Sequence, residues 1–215
     1  DVEIDELTNS IKEVASGREL RTEVIRVRSI HDRQIRKSDW SFDWHVELNT
    51  PGREVYKLIA RDEPDRIQGL LCVEDAGDHV FAHLLESARP NRGKTKRYAG
   101  VPANLMAYAC QLAFDKGYLG FVVFVSKNAL IAHYAETLKA QVLRGNRMVL
   151  DTAAALRLVG SRELRSLRVP TVLHETIWRG LSVLVITALP TGPGQAWRDP
   201  WRAPLAAMDE LGRAF

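Results

Sequence analysis

Residues 53–87 can be arranged in few ways. REVYKLIAR (53–61), RIQGLLCV (66–73) and HVFAHLLES (79–87) are apolar-rich segments of strand length, separated only by DEPD (62–65) and EDAGD (74–78). Connections this short join neighbouring antiparallel strands, because a parallel return needs a crossover of about a dozen residues or more. An antiparallel meander of three strands is therefore expected, with Pro64 at a favoured turn position.

Helices and strands are predicted on both sides of this meander. Ile4, Leu7, Ile11 and Val14 recur at helical spacing and Gly17 follows as a stop, which predicts an amphipathic first helix. TEVIRVR (22–28) alternates as a strand does. The stretch from Ile30 to Leu48 is mixed; its Trp40, Phe42 and Trp44 read as core anchors, with the wall of a substrate pocket as the other reading. Beyond the meander, Pro102 fits a first helical turn, Leu105, Ala109, Leu112 and Ala113 form an apolar stripe, and Gly117 suits the C-terminal stop. GFVVFV (120–125) reads as a strand covered on both faces, NALIAHYAETLKA (128–140) as a helix, RMVLD (147–151) as a strand and TAAALRLV (152–159) as a short helix. The expected fold class is α/β in the α+β sense: a mixed, mainly antiparallel sheet flanked by helices.

Composition shifts after Arg162. The remainder holds Trp178, Trp197, Trp201, most of the prolines and a WRDPWRAP run. A domain over 1–162 and a C-terminal appendage over 163–215 are expected; within the latter, HETIWRGLSVLVITAL (174–189) fits a strand or a buried helix.

Hydrophobic residues make up 46% of the chain, enough for a real core, and a formal charge of +3 does not compel nucleic-acid binding. The run Leu181–Leu189 is far short of a membrane span of ~20 residues, so no membrane partner is expected. The acidic opening DVEIDELT lacks the basic and apolar segments of a signal peptide. Cys72 and Cys110 lie in apolar contexts and read as buried thiols of a cytoplasmic protein. No metal is expected: His79 and His83 are four residues apart, roughly 13 Å along a strand.

Chemistry concentrates where the meander ends. NRGKTKRYAGVPANLMAYACQLAF (91–114) runs from cations through a glycine into an apolar helix. A helix start leaves its first N–H groups unpaired and carries a partial positive charge, and a preceding glycine lets a ligand approach the backbone. The pattern predicts a phosphate cradle, with Arg92, Lys94, Lys96 and Arg97 adding charge around it. A solvated loop and a nucleic-acid patch are the other readings of these cations.

The order of elements around this junction resembles the Gcn5-related N-acetyltransferases, the GNAT superfamily, over roughly residues 20–160. Their pyrophosphate loop reads [Q/R]-x-x-G-x-[G/A]. Here Arg97-Tyr98-Ala99-Gly100-Val101-Pro102 matches except at the last position, where Pro102 stands and Ala103 follows. SKNALIAHYAETLKA (126–140) resembles the family's N-x-x-A-x-x-x-Y-x-x-x-G-F region. Asn128 and Tyr134 match by type, with one residue fewer between them and Lys139-Ala140 in place of Gly-Phe. The resemblance implies acetyl-CoA as co-substrate, held by Arg92, Lys94, Lys96, Arg97, Tyr98, Ala99, Gly100, Val101, Ala103, Asn104, Lys127 and Asn128. It implies transfer of an acyl group, acetyl as the family's name states, to an amine, with Tyr134 protonating the departing thiolate. A small molecule, a protein amine and an aminoacyl-tRNA all stay open as acceptors, as does a homodimer.

Two residues of the third meander strand are candidates for the base, Glu86 first and His83 second. By strict alternation His79, Phe81, His83 and Leu85 share one face, and Val80, Ala82, Leu84 and Glu86 the other. Only one candidate then faces the substrate unless a bulge intervenes, as it often does in the resembled family. Leu84 and Leu85 beside Glu86 predict a desolvated carboxyl with a raised pKa. A non-catalytic GNAT-like module and an RNA-binding protein using residues 89–97 are the alternative functions.

Overall fold

The computed structural model describes residues 10–28, 35–159, 172–178 and 181–186. Strands β1 (Ser10–Glu13), β2 (Glu19–Arg26), β3 (Arg53–Ala60), β4 (Glu63–Asp75), β5 (Val80–Ser87), β6 (Tyr98–Ala99), β7 (Val122–Val125), β8 (Gln141–Arg144) and β9 (Arg147–Leu150) form one sheet, ordered β6-β1-β2-β3-β4-β5-β7-β9-β8. Every neighbouring pair is antiparallel except β5 and β7. Helices α1 (Trp44–Asn49), α2 (Val101–Asp115), α3 (Ile131–Thr137) and α4 (Thr152–Val159) complete this unit. The mixed, mainly antiparallel sheet with flanking helices is the GNAT-like architecture that the sequence resemblance implies.

The sheet has apolar cores on both faces, as the near-continuous apolar run of β4 requires. Leu71 and Val73 of β4 pack with Leu105, Ala109 and Cys110 of α2 and with Leu158 of α4. Their neighbours Leu70 and Cys72 point the other way, into a second core with Trp40, Trp44, Val55 and Ile35. Trp40 and Trp44 are thus the expected core anchors, meeting edge to face at 6.2 Å, whereas Phe42 is exposed. Both cysteines are free and buried. Gly69 lets α2 sit directly on β4: an added Cβ there would lie 2.7 Å from Val101 and 3.2 Å from the carbonyl oxygen of Glu86.

Several expectations need correcting. Ser10–Glu13 is a strand, not the end of a helix; it is held by β2 on one side and β6 on the other, and this pairing outweighs the helical spacing. Ile11 is buried but Val14 is half exposed, so the two do not share an inward face. Gly17 (φ +72°) closes the turn into β2, donating to Glu13 O at 2.8 Å. Ile4 and Leu7 lie outside the described residues. The turn after β3 is only Arg61-Asp62, and Pro64 sits within β4 where the register with β3 slips and no ladder N–H is needed. The predicted helix over 128–140 is a 3₁₀ turn (Asn128–Leu130) running into α3, and Lys139 (φ +57°) ends the segment. Of the C-terminal appendage, Val172–Trp178 (β10) and Leu181–Ile186 (β11) form a two-stranded antiparallel sheet, which answers the strand-or-helix question for 174–189 over those residues. Trp197, Trp201 and the WRDPWRAP run lie outside the described residues.

Candidate functional site

β5 stays paired with β4 through Ser87 but with β7 only over Val80–Ala82. β7 continues beside β9 to Val125. The two parallel strands therefore part after the Ala82–Phe124 pair, and β7 supplies no partner for the backbone of Leu84–Glu86. The separation begins at an extra residue. Cys72 pairs with Leu84 and Val73 with Ala82, so His83 is bulged out of the ladder.

That bulge resets the alternation and corrects the expectation of opposed faces. Val80 and Ala82 belong to the α2-side core, as does Leu85 beyond the bulge. Leu84 packs on the α1-side core and Glu86 bonds Trp44 of α1, so Glu86 faces the same side as His83. His83 bonds Glu74, which shares the β4 face of Leu70 and Cys72.

Glu86 and His83 differ sharply in environment. Glu86 is 5% exposed and accepts from Ser41 N at 2.6 Å, Trp44 Nε1 at 2.7 Å, Phe42 N at 3.4 Å and the Arg92 guanidinium. Burial pushes its carboxyl up, but the donors of Ser41, Trp44 and Arg92 outweigh burial and hold it below the usual glutamate range. The raised pKa expected from Leu84 and Leu85 is thereby overturned. A carboxylate ringed by donors has no lone pair turned toward an arriving amine. His83 is partly buried, with Nε2 2.6 Å from Glu74 Oε2 and its ring 4.7 Å from Phe81. In the neutral ring, a carboxylate at that distance accepts the Nε2 proton, which leaves Nδ1 with the free lone pair. Glu74 was not singled out in the sequence, because its link to His83 is a cross-strand diagonal with no local motif.

Tyr134 lies at the same split from the other side. Its ring meets Phe124, the last β7 residue paired with β5, edge to face at 5.4 Å. It packs against the α2-side core, and burial pushes its phenol up, so it stays protonated. His83 and Tyr134 thus lie on opposite faces of the sheet where the strands part.

At the predicted cradle fewer donors are free than the sequence suggests. Gly100 (φ +86°) caps α2 with no side-chain cap, and the N–H groups of Val101 and Ala103 take no intrahelical partner. Pro102 contributes no N–H. Lys94 and Lys96 are exposed and unpaired among the described residues; Lys127 and Asn128 are exposed where β7 leads into α3. The remaining predicted ligands are engaged internally. Arg92 holds Glu86, Ser87 O (2.6 Å) and Ser41 Oγ (2.7 Å). Arg97 holds Glu63 (2.9 Å) and Glu13 (3.6 Å). Tyr98 is buried against Glu63, and the backbones of Tyr98 and Ala99 pair with β1. Asn104 is buried, donating to Ser10 O (2.7 Å) and accepting from Thr22 (3.2 Å). Arg92 and Arg97 are accordingly not free for a nucleic-acid surface over 89–97.

Among the described residues no group of His, Cys, Asp or Glu could hold a metal ion, and no helix is long and apolar enough to cross a membrane. Cys72 donates to Glu47 at 3.1 Å, and burial pushes its thiol well up, so it is inert as a nucleophile.

No protein-family model matches the sequence, and no curated protein does. Similar solved structures include a mutant AtaT toxin bound to the C-terminus of the antitoxin AtaR and acetyl-CoA, 16% identical over 64% of this chain and 97% of that one, with a TM-score of 0.46. The KacTA–DNA complex is 12% identical over 64% and 98%, with a TM-score of 0.47. Tetrahymena Gcn5 is 11% identical over 49% and 72%, with a TM-score of 0.37. The likeness is one of fold, at identities too low to speak of substrate.

Proposed function

We propose that the protein is an acyl-CoA-dependent N-acyltransferase, with acetyl as the group transferred. The observation that supports this most is the parting of β5 and β7 at the His83 bulge. It opens a slot between two strands with a carboxylate-oriented histidine on one face and a protonated tyrosine on the other. The uncapped start of α2 fits the pyrophosphate of acetyl-CoA, with Lys94, Lys96 and the Val101 and Ala103 amides as its donors.

Bound acetyl-CoA would supply the activated acyl carbon at this slot. Nδ1 of His83 would take the proton from the acceptor ammonium, since only a neutral amine is a nucleophile, and Glu74 would steady the imidazolium that forms. Tyr134 would hold its proton at Oη for delivery to a leaving sulfur. Leu84–Glu86 stay paired with β4, and the edge of this backbone left without a partner by β7 would offer donors to an extended ligand and to a polarised carbonyl oxygen.

Calorimetry with acetyl-CoA, against a pantetheine ester lacking the phosphates, tests the cradle. Binding is expected for the first ligand only, and Gly100→Glu should abolish it while costing about 1 kcal/mol of stability through its positive φ. An unchanged affinity in Gly100→Glu would place the coenzyme elsewhere. For Tyr134→Phe, we expect kcat to fall at least roughly tenfold with KM for acetyl-CoA little changed. The edge contact with Phe124 should keep Tm near the parent's. A parent-like kcat would leave Tyr134 as a packing residue only.

A further inference from the structure

The α1 face carries a second feature that acyl transfer does not use. A cleft of about 660 Å³ is lined by Arg36, Arg66, Arg89 and Arg97, by Asp39 and Asp65, and by a floor that includes Trp40. Arg97 is already paired with Glu63 and Glu13. Arg36, Arg66 and Arg89 are exposed and make no ion pair among the described residues. Three exposed guanidinium forks without an ion pair among the described residues, around one concavity, match a phosphate ester, which they can grip in paired N–H···O contacts.

Two further features narrow the ligand. Trp40 is 6% exposed and its ring forms part of the cleft floor. Asp39 and Asp65 would repel a bare inorganic anion, but their carboxylates accept from sugar hydroxyls. Cations for a phosphate, carboxylates for a ribose and an apolar floor for a base together describe a nucleotide. We infer that this cleft binds a nucleotide phosphate ester, whether a free nucleotide or the end of an RNA strand.

The cleft is separate from the coenzyme cradle. Trp40 belongs to the α1-side core and Ile67 and Ala88 pack on it, whereas α2 lies on the opposite face of the sheet. The inference does not rest on acyl transfer, so its failure and that reading's failure are distinguishable. The test is calorimetry on the full chain with AMP, a pentaribonucleotide bearing a terminal phosphate, and adenosine as the control without phosphate. AMP or the oligonucleotide should bind and adenosine should not, with affinity falling as salt rises from about 50 to about 200 mM. AMP binding equal to the oligonucleotide's identifies a free nucleotide; binding of the oligonucleotide alone identifies an RNA end. Combined reversal of Arg36, Arg66 and Arg89 to Glu should weaken binding at least about tenfold with Tm unchanged, since all three are exposed. Binding of neither ligand, indifference to the triple reversal, or displacement by saturating acetyl-CoA would each overturn the inference.

Discussion

Replacing Glu86 with Gln should destabilise the protein by roughly 3 kcal/mol, a Tm decrease of roughly 6–12 °C. The carboxylate is the shared acceptor for Ser41 N, Phe42 N, Trp44 Nε1 and Arg92, and so ties the loop leading into α1 to the residues following β5. An amide has one acceptor oxygen, and its NH₂ would face donors, leaving buried N–H groups unpaired. The pH dependence gives an independent check. The folded pKa of Glu86 lies below its unfolded value of ~4.3, so its stabilisation is complete above that pH and is lost as pH falls through the folded pKa. The Tm gap between parent and Glu86→Gln should therefore be constant near neutrality and narrow in acid. Per folded molecule, acyl transfer should keep the acidic limb of its kcat/KM profile. A variant with parental Tm but no acidic limb would restore Glu86 as the base.

The segments that were legible in the sequence are those whose neighbours in space are neighbours along the chain. The meander from Arg53 to Ser87 and the helix from Val101 to Asp115 follow from short connections and a single apolar stripe. Ser10–Glu13 does not, because its partners include Tyr98 and Ala99, nearly ninety residues away by number. β8 escaped for a different reason: Gln141–Arg144 is exposed throughout, so it has no inside–outside alternation to read. At the site, the histidine, the tyrosine and the glycine before α2 were all visible as residue types at plausible spacing. Their environments were not. Whether Arg92 and Arg97 serve a ligand or a carboxylate depends on Glu86, Glu63 and Glu13, which only the folded chain brings to them. The bulge at His83 is equally invisible, because one extra residue in a strand leaves no mark on composition, yet it turns Glu86 to the side opposite the one strict alternation gives.

That bulge sets the terms of the other large prediction. His83→Gln should lower kcat/KM for acyl transfer by roughly 10²–10⁴-fold, with the acidic limb of the profile lost and Tm changed little. The side chain touches Glu74 and Phe81 at the sheet surface and fills no part of either core. Its replacement therefore removes the proposed base without opening a cavity. Glutamine keeps a donor for Glu74 but offers no nitrogen that accepts a proton. Glu74 acts only through the ring, so Glu74→Gln should cost less, about tenfold, and should alter the pH profile rather than KM for acetyl-CoA. Added imidazole should partly rescue a smaller replacement, His83→Gly, which opens space beside Phe81, but should not rescue Glu74→Gln. If His83→Gln retains the parental rate and limb, the base is neither His83 nor the donor-ringed Glu86. Proton removal would then fall to water held along the edge of Leu84–Glu86 that β7 leaves without a partner.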